Sequence, residues 1–249
     1  MSTAQPTPWP YPLWIAHRGA GKDAPENTLA AFQRGWEAGF RMFECDVKLS
    51  ADGVPYLLHD ATLDRTTNGR GPVEHLTWDD LARLDAGGWH SARYAGERLL
   101  RLDQLAAWCE ARGALVNLEI KPVPGHETAT GAAVARAAQT LWARAAVPPL
   151  LTSFQPHALQ AALQAAPELP RGLLLESPWP GWEGVAEALQ FVALVCHHRL
   201  IDAALMQTAQ RHGWRMLSYT VNDVAKARRL RQLGVEGLIT DVMHLPSSV

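Results

Sequence analysis

The chain has 249 residues, 47% hydrophobic and 19% charged, which is ordinary for a globular protein and excludes a disordered one. A net charge of -2 leaves no basic footprint for nucleic acid, so any anionic ligand must be held by local groups. Three scattered cysteines (Cys45, Cys109, Cys196) make neither a disulfide frame nor a zinc knuckle, and no stretch approaches the roughly 18 apolar residues of a membrane span.

The N-terminus, MSTAQPTPWPYP, has no basic residue and no apolar run, so it reads as a Pro-rich tail rather than a signal peptide. With unclustered cysteines, a cytoplasmic location is the default expectation. LWIAH (13–17) is then a short apolar run of the kind that makes a buried parallel strand. Asn27 is placed to cap a helix in which Leu29, Phe32 and Trp36 recur at helical spacing, with Gly39 closing it. RMFECDV (41–47) is a second strand. Only a short Asp52-Gly53 turn separates it from the apolar run 55–60, which forces an antiparallel hairpin. With a two-residue turn, Ala51 pairs with Val54 and Asp46 lies opposite His59.

Residues 61–100 show no sustained period, which is the mark of a functional loop or lid. Strand and helix then alternate to the C-terminus, with helices near 102–112, 127–145, 157–166 and 181–189, and two more starting at Asp202 and Asp223. Without the hairpin strand, apolar runs start near 13, 41, 115, 149, 171, 191, 214 and 237. Eight βα-like units in about 250 residues predict a (β/α)8 barrel, a single domain over 1–249 with a cap insertion at about 60–100. The runner-up is an open doubly wound sheet, but no G-x-G-x-x-G follows the first strand. His17, Asp46, Lys121, Ser153, Glu176, His197, Thr220 and Asp241 all fall at the C-terminal ends of the runs, where barrel enzymes build their sites.

Glu44 and Asp46 are two apart on a strand and so share a face, while Cys45 turns toward the helices as a small core residue. Glu119, at the matching end of another strand, completes three carboxylates that would repel one another unless protonated or neutralised by a cation. Oxygen donors alone suit Mg²⁺ or Ca²⁺ better than zinc. A plainer reading pairs these acids with Arg18, Lys121 and Arg41 in a structural charge network. His17 and His59 are candidates for general acid and base, and Arg18 and Lys121 for neutralising a phosphoryl group. Glu176, Trp182, His197 and Tyr219 are possible pocket residues, with Trp179 nearby. Asp60, Arg65, Thr66, Thr67 and Asn68 read as the scaffold of the turn below His59. Ser153 lacks a G-x-S-x-G elbow and is no nucleophile.

HRGA (17–20), PENT (25–28), ECDV (44–47), LLHD (57–60), LDRTTNG (63–69), LEIKP (118–122), SF (153–154), YTVN (219–222) and GLITD (237–241) together resemble the glycerophosphodiester phosphodiesterases, in order and over nearly the whole chain. The short spacing resembles bacterial cytosolic members. The resemblance implies a barrel that hydrolyses glycerophosphocholine or glycerophosphoethanolamine to sn-glycerol 3-phosphate and an alcohol. On matching positions it makes His17 and His59 the acid/base pair, Glu44, Asp46 and Glu119 the ligands of Ca²⁺ or Mg²⁺, and Arg18 and Lys121 the phosphate contacts. The chain departs from the family at 95–105, where a Pro-Thr is usual, and at Tyr219, where Trp is common. Two other readings are a lysophospholipase D-like activity and a non-catalytic phosphodiester-binding barrel. The second would be expected to lack a histidine or carboxylate, and all are present.

Overall fold

The computed structural model describes residues 9–249; residues 1–8 of the Pro-rich tail lie outside them. All eight predicted runs form strands that pair in parallel, and the run 55–57 adds a ninth, antiparallel one. The first half comprises β1 (Trp14–Ala16), α1 (Leu29–Glu37), β2 (Met42–Leu49), β3 (Pro55–Leu57), α2 (Trp78–Leu81), α3 (Leu102–Arg112), β4 (Leu115–Ile120) and α4 (Glu127–Leu141). The second half comprises β5 (Leu150–Ser153), α5 (Pro156–Ala165), β6 (Arg171–Leu175), α6 (Trp182–Ala188), β7 (Ala193–His197), α7 (Ala203–His212), β8 (Arg215–Tyr219), α8 (Val224–Gln232) and β9 (Gly237–Thr240). β1 pairs with both β2 and β9, so the sheet closes into a (β/α)8 barrel with helices between the strands.

The helices start where side chains can satisfy orphan backbone N–H groups. Asp202 and Asp223 accept from the N–H groups of Leu205 and Lys226, as the sequence suggested. The cap of α1 differs: Thr28, not Asn27, accepts from the N–H of Ala31, because Asn27 holds φ at +60° and turns its amide toward β2. Two apolar layers then form. Ile15, Met42, Leu150, Leu174, Val195 and Leu217 come from strands around the whole circle and meet inside the barrel. Residues of opposite parity, Phe43, Cys45 and Leu118 among them, pack outward against Phe32, Leu105 and Trp108 of the helices. Cys45 is therefore a core residue, as its position between two acids predicts.

The hairpin register is one residue off the expected one. Val47 faces Leu57 and Lys48 faces Tyr56, so Asp46 stands opposite Leu58 rather than His59. The turn holds three residues, Ala51–Gly53, closed by the bond from Ser50 N–H to Val54 C=O, with Gly53 at φ +82°. A three-residue loop ending in a left-handed glycine is the next commonest hairpin after the two-residue one, and it moves the register by one. His59 thus follows the strand instead of pairing within it.

Residues 61–100 form a packed excursion after β3. Tyr56, Leu63, Val73, Leu81, Ala86 and Leu99 share a small apolar core, and short bridges join Thr62 to Pro72 and Asp85 to Arg98. The Asp85 carboxylate accepts the backbone N–H groups of Gly87, Gly88 and Gly96 at 2.8 Å each. Turns and the one-turn helix α2, rather than a long helix or strand, bring these apolar residues together, which is why they show no period. At the departure from family pattern, Leu57 N–H bonds Leu100 C=O at 2.8 Å and fixes the path from the excursion to α3.

Helices α4 and α5 approach so closely at Gly131 that a Cβ there would lie 2.1 Å from the carbonyl oxygen of Ala158. Gly131→Ala is expected to destabilise the barrel by about 1–3 kcal/mol, as overpacked sites do, and to lower the melting temperature by roughly 2–10 °C. Thermal unfolding followed by circular dichroism checks this; an unchanged midpoint would contradict the close approach.

Candidate active site

Side chains that alternate along a strand carry the lumen pattern straight into the site. Met42 is followed two residues on by Glu44 and then Asp46, Ile15 by His17, Asn117 by Glu119, Leu174 by Glu176, Leu217 by Tyr219 and Ile239 by Asp241. The first member of each pair fills the barrel, apolar in every case but Asn117, which accepts from the Thr152 hydroxyl, and the second stands at its C-terminal rim. Register does the rest: Glu44 lies beside Asn117 and Asp46 beside Glu119 on the adjacent strands β2 and β4.

Three carboxylates are thereby buried together. Glu44, Asp46 and Glu119 are 3%, 1% and 8% exposed, and each offers an oxygen within 4.8 Å of the other two. Arg18 Nε lies 3.1 Å from Asp46 Oδ2, and Lys121 Nζ lies 2.7 Å from Glu119 Oε1 and 3.6 Å from Asp46 Oδ1. The charge network read from the sequence is real for these two cations. It does not include Arg41, which bonds the carbonyls of Trp36 and Phe40 and stacks on the Trp36 ring. Nor does it satisfy the acids: Glu44 Oε1 and Asp46 Oδ1 are buried without a hydrogen-bond partner. Burial, and next the charge of Asp46, push Glu44 and Glu119 above the usual carboxylate range. Burial would raise Asp46 too, but Arg18, Lys121 and His59 outweigh it and hold Asp46 below that range. Unpartnered oxygens converging in a buried, all-oxygen donor set fit a hard divalent cation.

Each histidine is pinned at Nδ1 by a carboxylate. His17 Nδ1 donates to Asp241 Oδ1 at 2.6 Å, leaving Nε2 3.7 Å from Glu44 Oε2. His59 Nδ1 donates to Asp60 Oδ1 at 2.6 Å, leaving its Nε2 for the cleft. Burial depresses the His17 imidazolium, yet the Asp241 bond and the charge of Glu44 outweigh it and raise its pKa. For His59, burial aided by Arg18 and Lys121 prevails over Asp46 and Asp60, and the pKa falls.

Six residues to which the sequence assigned no catalytic, metal or phosphate role belong to this network. Asp241 orients His17 and is held in turn by the Asn222 amide at 2.8 Å. Asn27 donates to Asp46 Oδ2 at 2.9 Å and accepts from its backbone N–H. Glu26 takes Arg18 at 2.9 Å and both terminal nitrogens of Arg65, and Arg65 continues to Asp60 at 2.7 Å. An unbroken chain therefore runs Asp46–Arg18–Glu26–Arg65–Asp60–His59. Asp60 had been read as scaffold, and it is scaffold that touches an imidazole. Barrel closure was the available signal for Asp241, since β9 must neighbour β1 and Ala16 pairs with Thr240.

Two cavities meet at the acids, with His59, Glu119, Lys121 and Phe154 forming a shared wall. The inner one, about 300 Å³, descends into the barrel past His17, Glu44 and Leu174, with Glu176 and Tyr219 at its mouth. The outer one, about 400 Å³, lies by the C-terminal ends of β2, β4 and β5 and is lined by Lys48, Ala61 and Gln155. Burial pushes the Lys48 ammonium down to about 8. Of the four possible pocket residues, Glu176 and Tyr219 line the cleft. His197 stands one ring behind, 5.8 Å from the Tyr219 centroid. Trp182 does not reach it: as the first residue of α6 it packs on Trp214 in the outer layer, 5.9 Å between centroids, because a helix following a strand turns its apolar face onto the sheet.

Comparison with known proteins agrees with this geometry. Residues 17–245 match the model of the glycerophosphoryl diester phosphodiesterase family. A glycerophosphodiester phosphodiesterase of Caldanaerobacter subterraneus subsp. tengcongensis is 34% identical over 92% of this chain and 93% of its own length. An Oleispira antarctica phosphodiesterase, solved in complex with its product sn-glycerol-3-phosphate, superposes with a TM-score of 0.88 at 32% identity, covering 95% of this chain and 96% of that one. A glycerophosphodiester phosphodiesterase of Agrobacterium tumefaciens superposes at 0.81 with 29% identity over 96% of this chain and all of the other. Over residues 17–245, then, this enzyme belongs to the glycerophosphoryl diester phosphodiesterase family.

Proposed function

We propose that the chain, as one barrel domain over 1–249 with residues 60–100 as its cap, hydrolyses glycerophosphodiesters to sn-glycerol 3-phosphate and the headgroup alcohol, with His17 and His59 as the acid/base pair. Glu44, Asp46 and Glu119 would hold Ca²⁺ or Mg²⁺, which when bound supplies positive charge to a phosphodiester whose anionic oxygens repel nucleophiles. Arg18, held by Asp46 and Glu26, and Lys121, held by Glu119, meet the phosphoryl oxygens and stabilise the charge that grows there. One imidazole takes the proton of the nucleophile as its oxygen bonds to phosphorus; the nucleophile is water, or the vicinal glycerol hydroxyl, in which case a water then opens the resulting cyclic phosphate to sn-glycerol 3-phosphate. The other gives its proton to the headgroup oxygen as that bond to phosphorus breaks. Asp241 and Asp60 keep the Nδ1 protons in place, so both Nε2 atoms are the ones that move protons.

The observation that carries this reading is the pair of carboxylate-pinned imidazoles, one beside Glu44 and one facing the same cleft at His59. A cytoplasmic site of action is supported by three cysteines that are free and buried, and no helix among the described residues is long and apolar enough to cross a membrane.

Two measurements test the proposal. His17→Ala and His59→Ala should each lower kcat by about 10²–10⁴ with an unchanged circular dichroism spectrum, and near wild-type turnover in either would overturn the acid/base assignment. Release of sn-glycerol 3-phosphate should stop in EDTA and return on adding Ca²⁺ or Mg²⁺; undiminished release in EDTA would remove the cation from the scheme.

A further inference from the structure

The outer cavity contains one group that the proposed chemistry leaves unused. Lys48 is the fourth lumen-parity residue of β2, two beyond Asp46, and it is only 2% exposed. Its Nζ donates to the carbonyl of Lys121 at 3.1 Å and makes no ion pair among the described residues. The nearby carboxylates have other partners: Asp60 is engaged by Arg65 and His59, Glu119 by Lys121, and Asp46 by Arg18 and Asn27. A buried ammonium whose one partner is a neutral carbonyl is costly unless a further acceptor completes it. Here the open side faces a cavity that adjoins the proposed reaction centre.

Resting on the hydrolase reading above, we propose that this outer cavity is the headgroup subsite and that Lys48 selects headgroups bearing hydroxyls or a carboxylate over a quaternary ammonium. A glycerophosphodiester has two arms on one phosphate, and the site has two chambers on one wall. The glycerol arm is common to every substrate and suits the inner chamber, which descends into the barrel and has Glu176, Tyr219 and Thr220 for its hydroxyls. The headgroup arm varies and suits the outer chamber, which opens beside the exposed residues Ala61 and Gln155. There a trimethylammonium group would meet Lys48 and Lys121, whereas a polyol or carboxylate would give Lys48 its missing acceptor. A charge-assisted hydrogen bond of this kind is worth about a tenfold difference in specificity.

The test compares kcat/KM of the metal-supplemented enzyme for sn-glycero-3-phosphoglycerol, sn-glycero-3-phosphoserine and sn-glycero-3-phosphocholine. The first two are expected to exceed the third by about tenfold, and Lys48→Met should collapse that ratio toward one, mainly through KM. Ala61→Glu, an exposed change at the rim of the same chamber, should shift the ratio toward the choline ester. A wild-type preference for the choline ester, or a Lys48→Met loss equal on all three substrates, would overturn the proposal while leaving the hydrolase reading intact. Absence of turnover on every ester would instead sink that reading.

Discussion

The structure turns on the burial of Glu44, Asp46 and Glu119 within a few ångströms of one another. Three carboxylates taken out of water together are unfavourable by both desolvation and mutual repulsion. Almost everything around them offsets that strain: the Asn27 amide and Arg18 on Asp46, the backbone N–H of Arg18 on Glu44, and Lys121 on Glu119. Even so, two oxygens stay unpartnered, and it is this shortfall that supports the proposed cation. A site that satisfied its acids completely would be inert packing.

Barrel geometry makes such a cluster possible without loops having to find it. Period-two alternation places an apolar residue in the lumen and a polar one at the rim on strand after strand, and the parallel register of β2 and β4 sets Asp46 level with Glu119. The rigid wall thus supplies the carboxylates, while the β1–α1 segment supplies Arg18, Glu26 and Asn27. Arg18 holds φ at +50° and Asn27 at +60°, left-handed conformations that cost energy for residues with a Cβ and that here bend the chain back toward the acids.

Much of this was legible before any coordinates. The eight apolar runs, the hairpin, the shared face of Glu44 and Asp46 and the two histidines follow from periodicity, strand ends and turn residues. What failed has local causes. Pairing Asp46 with His59 assumed a two-residue turn, and one more residue in the loop shifted the register. Asn27 looks like a helix cap because Asn caps helices well, but Thr28 beside it is also a capping residue and frees Asn27 for Asp46. Trp182 was drawn to the pocket by following a strand, yet it begins the helix that covers the sheet. Glu26 and Arg65 are 39 residues apart in sequence, and nothing local ties them together.

The ion-pair relay through Glu26 and Arg65 makes the insertion more than a cover. One end of it grips the Asp46 carboxylate on the barrel wall and the other grips His59 at the root of the cap. Loop grafting between barrels of this kind therefore cannot treat the excursion after β3 as an interchangeable cassette. A transplanted loop lacking a guanidinium at the position of Arg65 would leave Glu26 and Asp60 bereft of their common counter-charge, and the disturbance would travel inward to the imidazole and the acids at once.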